Sequence, residues 1–515
     1  MNQIPQSLLI SGIVWLFGWE QNSVQAGIIQ TVKDKETKGQ PNVIIFATDD
    51  LCDWVTPLGY KQAKTPNLDR LAKQGIVFTY AQAPGVFCAP SRTAIMTGLN
   101  ASTTGCYEED PFQYDHPDLV TMQMAFQQGG YNTYGAGKIY HHRGGFLDLR
   151  GWDEYFSCCR EEKELGWEMN GYYMKDVPRP VTFPYSPYYT KTGREGGSAL
   201  HLEWGPIANE KEDEMVDAIR TNWACKVLKQ KHEKPFFLAL GMYSPHYPNY
   251  APKKYFDMYD RESIVLPPYK ADDLEDLPSR IRNNMTNRSV QHEELESYGA
   301  LKDAVLGYLA CVSFADAMLG RVLDALEASP YKKNTIVVFW SDQGFHHGEK
   351  MHWGKHTLWQ RTSHVPFIWA GKGIPKNQKV NSTVSLIDLY PTFIDLCGLP
   401  QPRNLEGISL ASVLKKPSTA VDRNVLLPSN ERGSYAVINN NWRYISYFDG
   451  GEELYNVKED PNEWSNLATN EKYREVMQEM RKSAPLAFAP PVTKKNELKL
   501  VVEGDTFHWE KKKKN

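Results

Sequence analysis

The chain has 515 residues, enough for one large domain and a smaller one, each with its own core. Lys and Arg number 58 against 62 Asp and Glu, a formal net charge of −4, and this balance has no basic excess for nucleic acid. Aromatic residues make up 12% of the chain, a share that reads as packing in preference to sugar stacking.

Near the start, residues 7–19 read "SLLISGIVWLFGW", an apolar run too short to span a bilayer comfortably. A polar stretch and a small residue at Ala26 follow, which suits signal peptidase, although no Lys or Arg precedes the run. We read residues 1–26 as a signal peptide and expect export, periplasmic or extracellular, with no stable membrane insertion. An uncleaved anchor is the alternative.

Residues 41–50, "PNVIIFATDD", form a β-branched run that ends in Asp49 and Asp50, and a helical pattern covers 67–74. In "FCAPSRTAIMTG", residues 87–98, Pro90 falls in a first helical turn and Gly98 just past the helix end. That helix would aim free N–H groups at an anion beside Cys88. Cys88 reads either as an inert buried thiol or as a thiolate whose pKa nearby cations lower. Neither reading accounts for the Pro-Ser-Arg that follows.

Residues 131–141 form a weaker strand ending in Lys138 and His141, and 235–246 form another ending in Ser-Pro-His246. Between them, 154–210 are rich in Tyr, Trp, Pro and Gly and read as a loop-rich insertion. Its Trp167 and Trp204 suit sugar stacking and core packing equally. Residues 212–231 place Met215, Ile219, Trp223 and Val227 on one helix face, and 298–328 form a long apolar helix. The run 335–344, "TIVVFWSDQG", ends in Asp342 and Gln343. Continuous apolar runs alternating with helices predict an α/β fold with a mostly parallel sheet, whose ligands bind at the carboxyl ends of the strands.

Past residue 400, short strands at 435–438, 442–447 and 453–456 alternate with turns at 439–441 and 449–451. We therefore expect a domain over 40–400 and a smaller α+β subdomain with an antiparallel sheet over 420–515, the lysines at 511–514 being a solvated tail. Eight cysteines show no Cys-x-x-Cys spacing, and their pairing stays open.

Asp49 and Asp50 are costly to bury together without a cation. With Asp342 and the Gln343 amide oxygen they offer three carboxylates and a carbonyl, a set suited to Ca2+ ahead of Mg2+. Helix capping by the aspartate pair and a turn at Asp342 form the competing reading. Lys138, Lys355, His141, His246 and Arg92 add cations for a phosphate- or sulfate-like group. In "HHGEKMH" His347 and His352 lie five apart, which excludes a zinc-protease helix.

On these residues the chain resembles the type I sulfatases. Cys88-Ala89-Pro90-Ser91-Arg92 with Thr97-Gly98 matches their signature. "NVIIFATDDL" and "SDQG" resemble their metal strands, and "GKIYH" and "SPHYP" their lysine and histidine stations. "LIDLYPTFIDLCGLP" and "EELYNVKEDPNEWSNLA" look like later landmarks, so the resemblance runs over about residues 40 to 470. "GKIYH" and "WGKHTLW" are most like the iduronate-2-sulfatase-like enzymes, many of which act on sulfated glycans.

The resemblance implies an alkaline-phosphatase-like fold and a sulfatase acting on a sulfated poly- or oligosaccharide. It implies that a formylglycine-generating maturation enzyme oxidises Cys88 to Cα-formylglycine. Asp49, Asp50, Asp342, Gln343 and an oxygen of the modified Cys88 would bind Ca2+; Gln343 departs from the Asn or His of many relatives. Arg92 would steady the formylglycine, Lys138 and Lys355 would bind sulfate oxygens, and His141 would assist turnover of the intermediate. His246, perhaps with Lys355, would protonate the leaving alcohol. The hydrated aldehyde attacks sulfur through one hydroxyl, giving a covalent sulfo-enzyme, and its second hydroxyl then expels sulfate. The alternatives are a phosphodiesterase or phosphonate monoester hydrolase of the same superfamily, and an inactive glycan-binding homologue.

Overall fold

The computed structural model describes residues 39–141, 146–156, 202, 204–402, 404–420, 422–503 and 506–513. The predicted signal peptide, most of the predicted insertion with Trp167, and Cys158 and Cys159 lie outside the described residues.

The four apolar runs become strands of one eight-stranded sheet. Its order is Gln378–Ser385, Gly75–Gln82, His364–Gly371, Thr335–Ser341, Asn42–Thr48, Phe236–Gly241, Asn132–Gly137, Glu154–Phe156. Only His364–Gly371 runs antiparallel to its neighbours; the remaining pairings are parallel. Asn42–Thr48 sits between Thr335–Ser341 and Phe236–Gly241 and is buried along its whole length. Both of its faces are covered, which is why it reads as continuous apolar sequence instead of an alternating one.

Alternate residues of that strand enter different cores, as its two-residue period requires. Ile44 and Phe46 pack with the helices Val216–Lys229 and Leu301–Glu327. Val43, Ile45 and Ala47 pack with Cys88–Thr97, Met122–Gln128 and Leu389–Cys397. Helices thus flank the sheet on both sides.

Several local expectations shift. The helix expected over 212–231 begins at Val216, after a 3-10 turn at Asn209–Glu214. The segment before Leu301–Glu327 is a separate helix, Ser279–Ser297, whose polar sequence has no apolar stripe to announce it. Trp204 is core: it is 3% exposed and packs so close to Gly307 of the long helix that a Cβ there would stand 2.5 Å from its own Cβ, so it offers no sugar platform. Lys511 is no tail residue, because Thr506–Lys511 pairs with Leu498–Glu503 in a hairpin. The six described cysteines are free thiols.

A four-stranded antiparallel sheet, Val425–Pro428, Tyr435–Ile438, Trp442–Ser446 and Glu452–Asn456, closes the chain's later part. One face packs on Met477 and Met480 of the helix Arg474–Arg481. The other packs on Phe87, Cys88 and Trp359, which brings this sheet against the start of the Cys88 helix.

Candidate active site

Strand register builds the acidic half of the site. Thr48 pairs with Ser341, so Asp49 and Asp342 emerge side by side from neighbouring strands. Two successive residues of a strand would point to opposite faces. Asp50 escapes that rule with φ 62°, a left-handed conformation that an aspartate tolerates better than most residues. The turn is held by Asp50 N donating to Asp342 Oδ1 at 3.1 Å, Leu51 N to Ser341 Oγ at 2.9 Å, and Tyr308 OH to the Asp50 carbonyl at 2.8 Å. One oxygen from each of Asp49, Asp50 and Asp342 then falls within 4.8 Å of the others, all three residues being buried.

Cations answer this charge from four other segments. Arg92, in the Cys88–Thr97 helix, donates from Nε to Asp342 Oδ2 at 2.6 Å and stands 3.5 Å from Asp49. Lys138, just past Asn132–Gly137, bonds Asp49. Lys355 Nζ bonds Asp50 at 2.6 Å, and His246 Nε2 lies 3.6 Å from the same carboxylate. Burial raises the Asp49 carboxyl, but Lys138 and Arg92 outweigh it and hold the group well below the usual range. Burial wins at Asp50, pushed up to about 6, and at Asp342, pushed up to about 7. Three carboxylates in one buried space exceed what the adjacent cations offset.

Cys88 opens its helix, and Lys355 Nζ donates to its Sγ at 3.3 Å. The sulfur also lies within 4.8 Å of Asp49 and His246 ligand atoms. The expectation that cations lower its pKa is overturned. Burial pushes the thiol up to about 11, against the pull of Lys138 and Lys355, because the side chain is 3% exposed.

The donor set fits a hard cation. Asp49 Oδ1, Asp50 Oδ2 and Gln343 Oε1 are buried and accept no hydrogen bond, while the Gln343 amide nitrogen bonds the other oxygen of Asp50. Buried acceptors of this kind are costly unless something electropositive meets them, and an all-oxygen trio suits Ca2+ or Mg2+.

Of the ten residues singled out from sequence, nine converge here. His141 does not join the ion pairs of the aspartates among the described residues; its Nε2 lies 3.5 Å from Glu109 Oε1, with the Phe146 ring edge-on at 5.3 Å. The rejected zinc motif is core: His347 lies 3.9 Å from the Tyr308 ring and 4.7 Å from that of Trp54. Sequence reasoning missed three supporting groups. Asp217 accepts the Tyr243 and Ser244 amides at 2.9 Å each and so fixes the loop that carries His246. Tyr308 holds the Asp50 turn, and Ser91 Oγ donates to the Asp342 carbonyl at 2.5 Å. Ser91 stood in the quoted motif; Asp217 and Tyr308 lie inside apolar helices with no local signal.

Comparison with known proteins identifies the family. The sulfatase family profile matches residues 41–399, and one described as N-sulphoglucosamine sulphohydrolase, C-terminal, matches 348–485. A sulfatase of Formosa agariphila is 37% identical over 459 residues, covering 87% of this chain and 86% of that protein. An ulvan-active sulfatase of the same organism is 27% identical, covering 88% and 82%. The solved structure of a 2-O GAG sulfatase superposes with a TM-score of 0.61 at 23% identity, covering 86% of this chain and 90% of that one, a likeness of fold.

Proposed function

The chain belongs to the sulfatase family and is a sulfuric ester hydrolase; from that premise we propose that it removes sulfate from a sulfated poly- or oligosaccharide, with residue 88 matured to formylglycine. The names of the ulvan-active and 2-O GAG relatives support the glycan substrate. The observation that carries the mechanism is the placing of Cys88 Sγ against Lys355, beside a carboxylate cluster with oxygens that accept no hydrogen bond.

Asp49, Asp50, Asp342 and Gln343 would hold Ca2+, which when bound favours the ionised form of a hydroxyl on residue 88. The hydrated aldehyde brings two hydroxyls to one carbon, one for attack at sulfur and one for release of sulfate. Lys138 and Lys355 take the sulfate oxygens, and Arg92 anchors the helix of residue 88 to Asp342. Burial and Lys355 hold His246 well below the usual imidazole range, so it rests uncharged. Its Nδ1 is engaged with the Tyr247 carbonyl, which leaves Nε2 facing the site. An incoming sulfate ester adds negative charge there, which favours a proton on Nε2 for delivery to the leaving alcohol. His141, whose Nε2 lies 3.5 Å from Glu109, would take the proton of the second hydroxyl. Residues 40–400 form the catalytic part, 420–515 the smaller subdomain, and residues 1–26 direct export.

The test is sulfate release from a panel of sulfated oligosaccharides, with kcat/KM on aryl sulfate and aryl phosphodiester measured beside it. Sulfate release that vanishes in Cys88→Ala supports the reading. A preference for the diester, or release that survives Cys88→Ala, overturns it.

A further inference from the structure

A cavity of about 170 Å³ is lined by the residues that follow Lys355 in the chain. The link is one peptide long. Lys355 reaches Cys88, and the next residue, His356, lines the cavity with Trp359 and Tyr447. His356 has φ 69°, and its N–H donates to the Val86 carbonyl at 3.0 Å. A left-handed backbone is uncommon outside glycine. Here that conformation lets successive side chains serve two neighbouring spaces.

The helix Ser279–Ser297 supplies Arg280 and Arg288 to the cavity wall, and their charges are met differently. Arg280 is neutralised by Glu431 at 2.8 and 2.9 Å and by Asp449 at 2.7 Å. Arg288 makes no hydrogen bond and no ion pair among the described residues. The charged or titratable groups it senses are His352 and His356, and burial holds both down at about 3, so both are neutral at pH 7. An exposed guanidinium on a cavity wall, with no acceptor among the described residues, is a binding group for a carboxylate or sulfate. Beside Arg280, Phe448 keeps 57% of its surface exposed and stacks on that guanidinium at 4.7 Å, giving an apolar face suited to a sugar ring.

We propose that this cavity is a second anion subsite, in which Arg288 binds a carboxylate or sulfate on the sugar adjoining the one that is desulfated. Arg288 is thereby a specificity-determining residue, and Phe448 supports the same sugar. The assignment rests on the glycan reading given above.

The test compares wild type with Arg288→Ala and Arg288→Lys on four substrates. These are an aryl sulfate, a sulfated disaccharide whose adjoining sugar carries a carboxylate, its carboxyl-reduced neutral counterpart, and one carrying a second sulfate ester instead. Arg288→Ala is expected to lose about 10- to 100-fold in kcat/KM, mainly through KM, on at least one anionic disaccharide, the size of a hydrogen bond between charged groups. Which of the two responds identifies the anion. Aryl sulfate and the neutral disaccharide should be unchanged, and Arg288→Lys should recover part of the loss. Equal losses on neutral and anionic disaccharides, or no loss on either anionic one, overturn the subsite alone. Turnover of aryl sulfate with every oligosaccharide refused overturns the glycan reading and the subsite with it.

Discussion

Arg92 Nε and Asp342 Oδ2 meet at 2.6 Å with both side chains at 0% exposure. The same guanidinium donates to the carbonyls of Lys138 and Thr48, so one side chain ties the helix of residue 88 to the ends of three strands. Taking one partner from a buried pair strands the other charge, at a cost of about 3–5 kcal/mol. Arg92→Ala should therefore lose that much stability in urea unfolding as well as its activity. Arg92→Lys should recover only part of it, because an ammonium cannot span the same fork of acceptors. A loss below about 1 kcal/mol would show that the surroundings absorb the change.

Cys88 separates a thiolate mechanism from a matured residue. With its thiol pushed up to about 11, only about one molecule in ten thousand carries a thiolate at pH 7. Protein made in a host without maturation enzyme should be inactive and should resist iodoacetamide at Cys88. Protein from a maturing host should show the aldehyde in peptide mass spectrometry. Full activity with a free thiol at residue 88 would refute the proposed chemistry.

The oxygens of Asp49, Asp50 and Gln343 that accept no hydrogen bond predict a dependence on divalent cations. Chelation should lower both activity and Tm, and Ca2+ should restore them better than Mg2+. At a hundredfold excess over Kd a bound ion adds about 2.7 kcal/mol to stability, a shift that thermal unfolding resolves. Asp50→Asn should raise the Ca2+ concentration needed. A Tm indifferent to chelator and to added Ca2+ would contradict the assignment.

His352 sets an acid limit on stability. Burial, aided by Arg288, holds its imidazole at about 3, against about 6.5 in an unfolded chain. Between these values the unfolded chain takes up a proton that the folded one refuses, so stability falls as pH falls below 6.5. At pH 5 this one residue accounts for about 2 kcal/mol. Other buried histidines contribute in the same direction, so the comparison is between wild type and His352→Gln. The variant should lose less stability between pH 7.5 and pH 5 in urea titrations; identical losses would remove His352 from the account.

The sequence by itself determined the α/β class, the strands that end in Asp49–Asp50 and Asp342–Gln343, and the helix that begins at Cys88. Each rests on local chemistry that survives folding: continuous apolar runs, a proline in the first turn, and a glycine at residue 98 whose φ is 73°. Ser279–Ser297 left no such trace, since its residues carry no apolar stripe, whereas the Leu498–Lys511 hairpin carried a Gly504-Asp505 dipeptide between its strands, a two-residue turn signal the sequence reading passed over. The tertiary structure alone decided how charge is shared. Register sets Asp49 beside Asp342, and the left-handed turn at Asp50 swings a second carboxylate into the same space. It also reversed the expectation for the Cys88 thiol, because desolvation depends on everything packed around a group, and sequence neighbours do not report it. Arg288 was invisible for the same reason. Its significance lies in its having no ion pair among the described residues, in a cavity whose one lining acid, Glu431, is taken by Arg280.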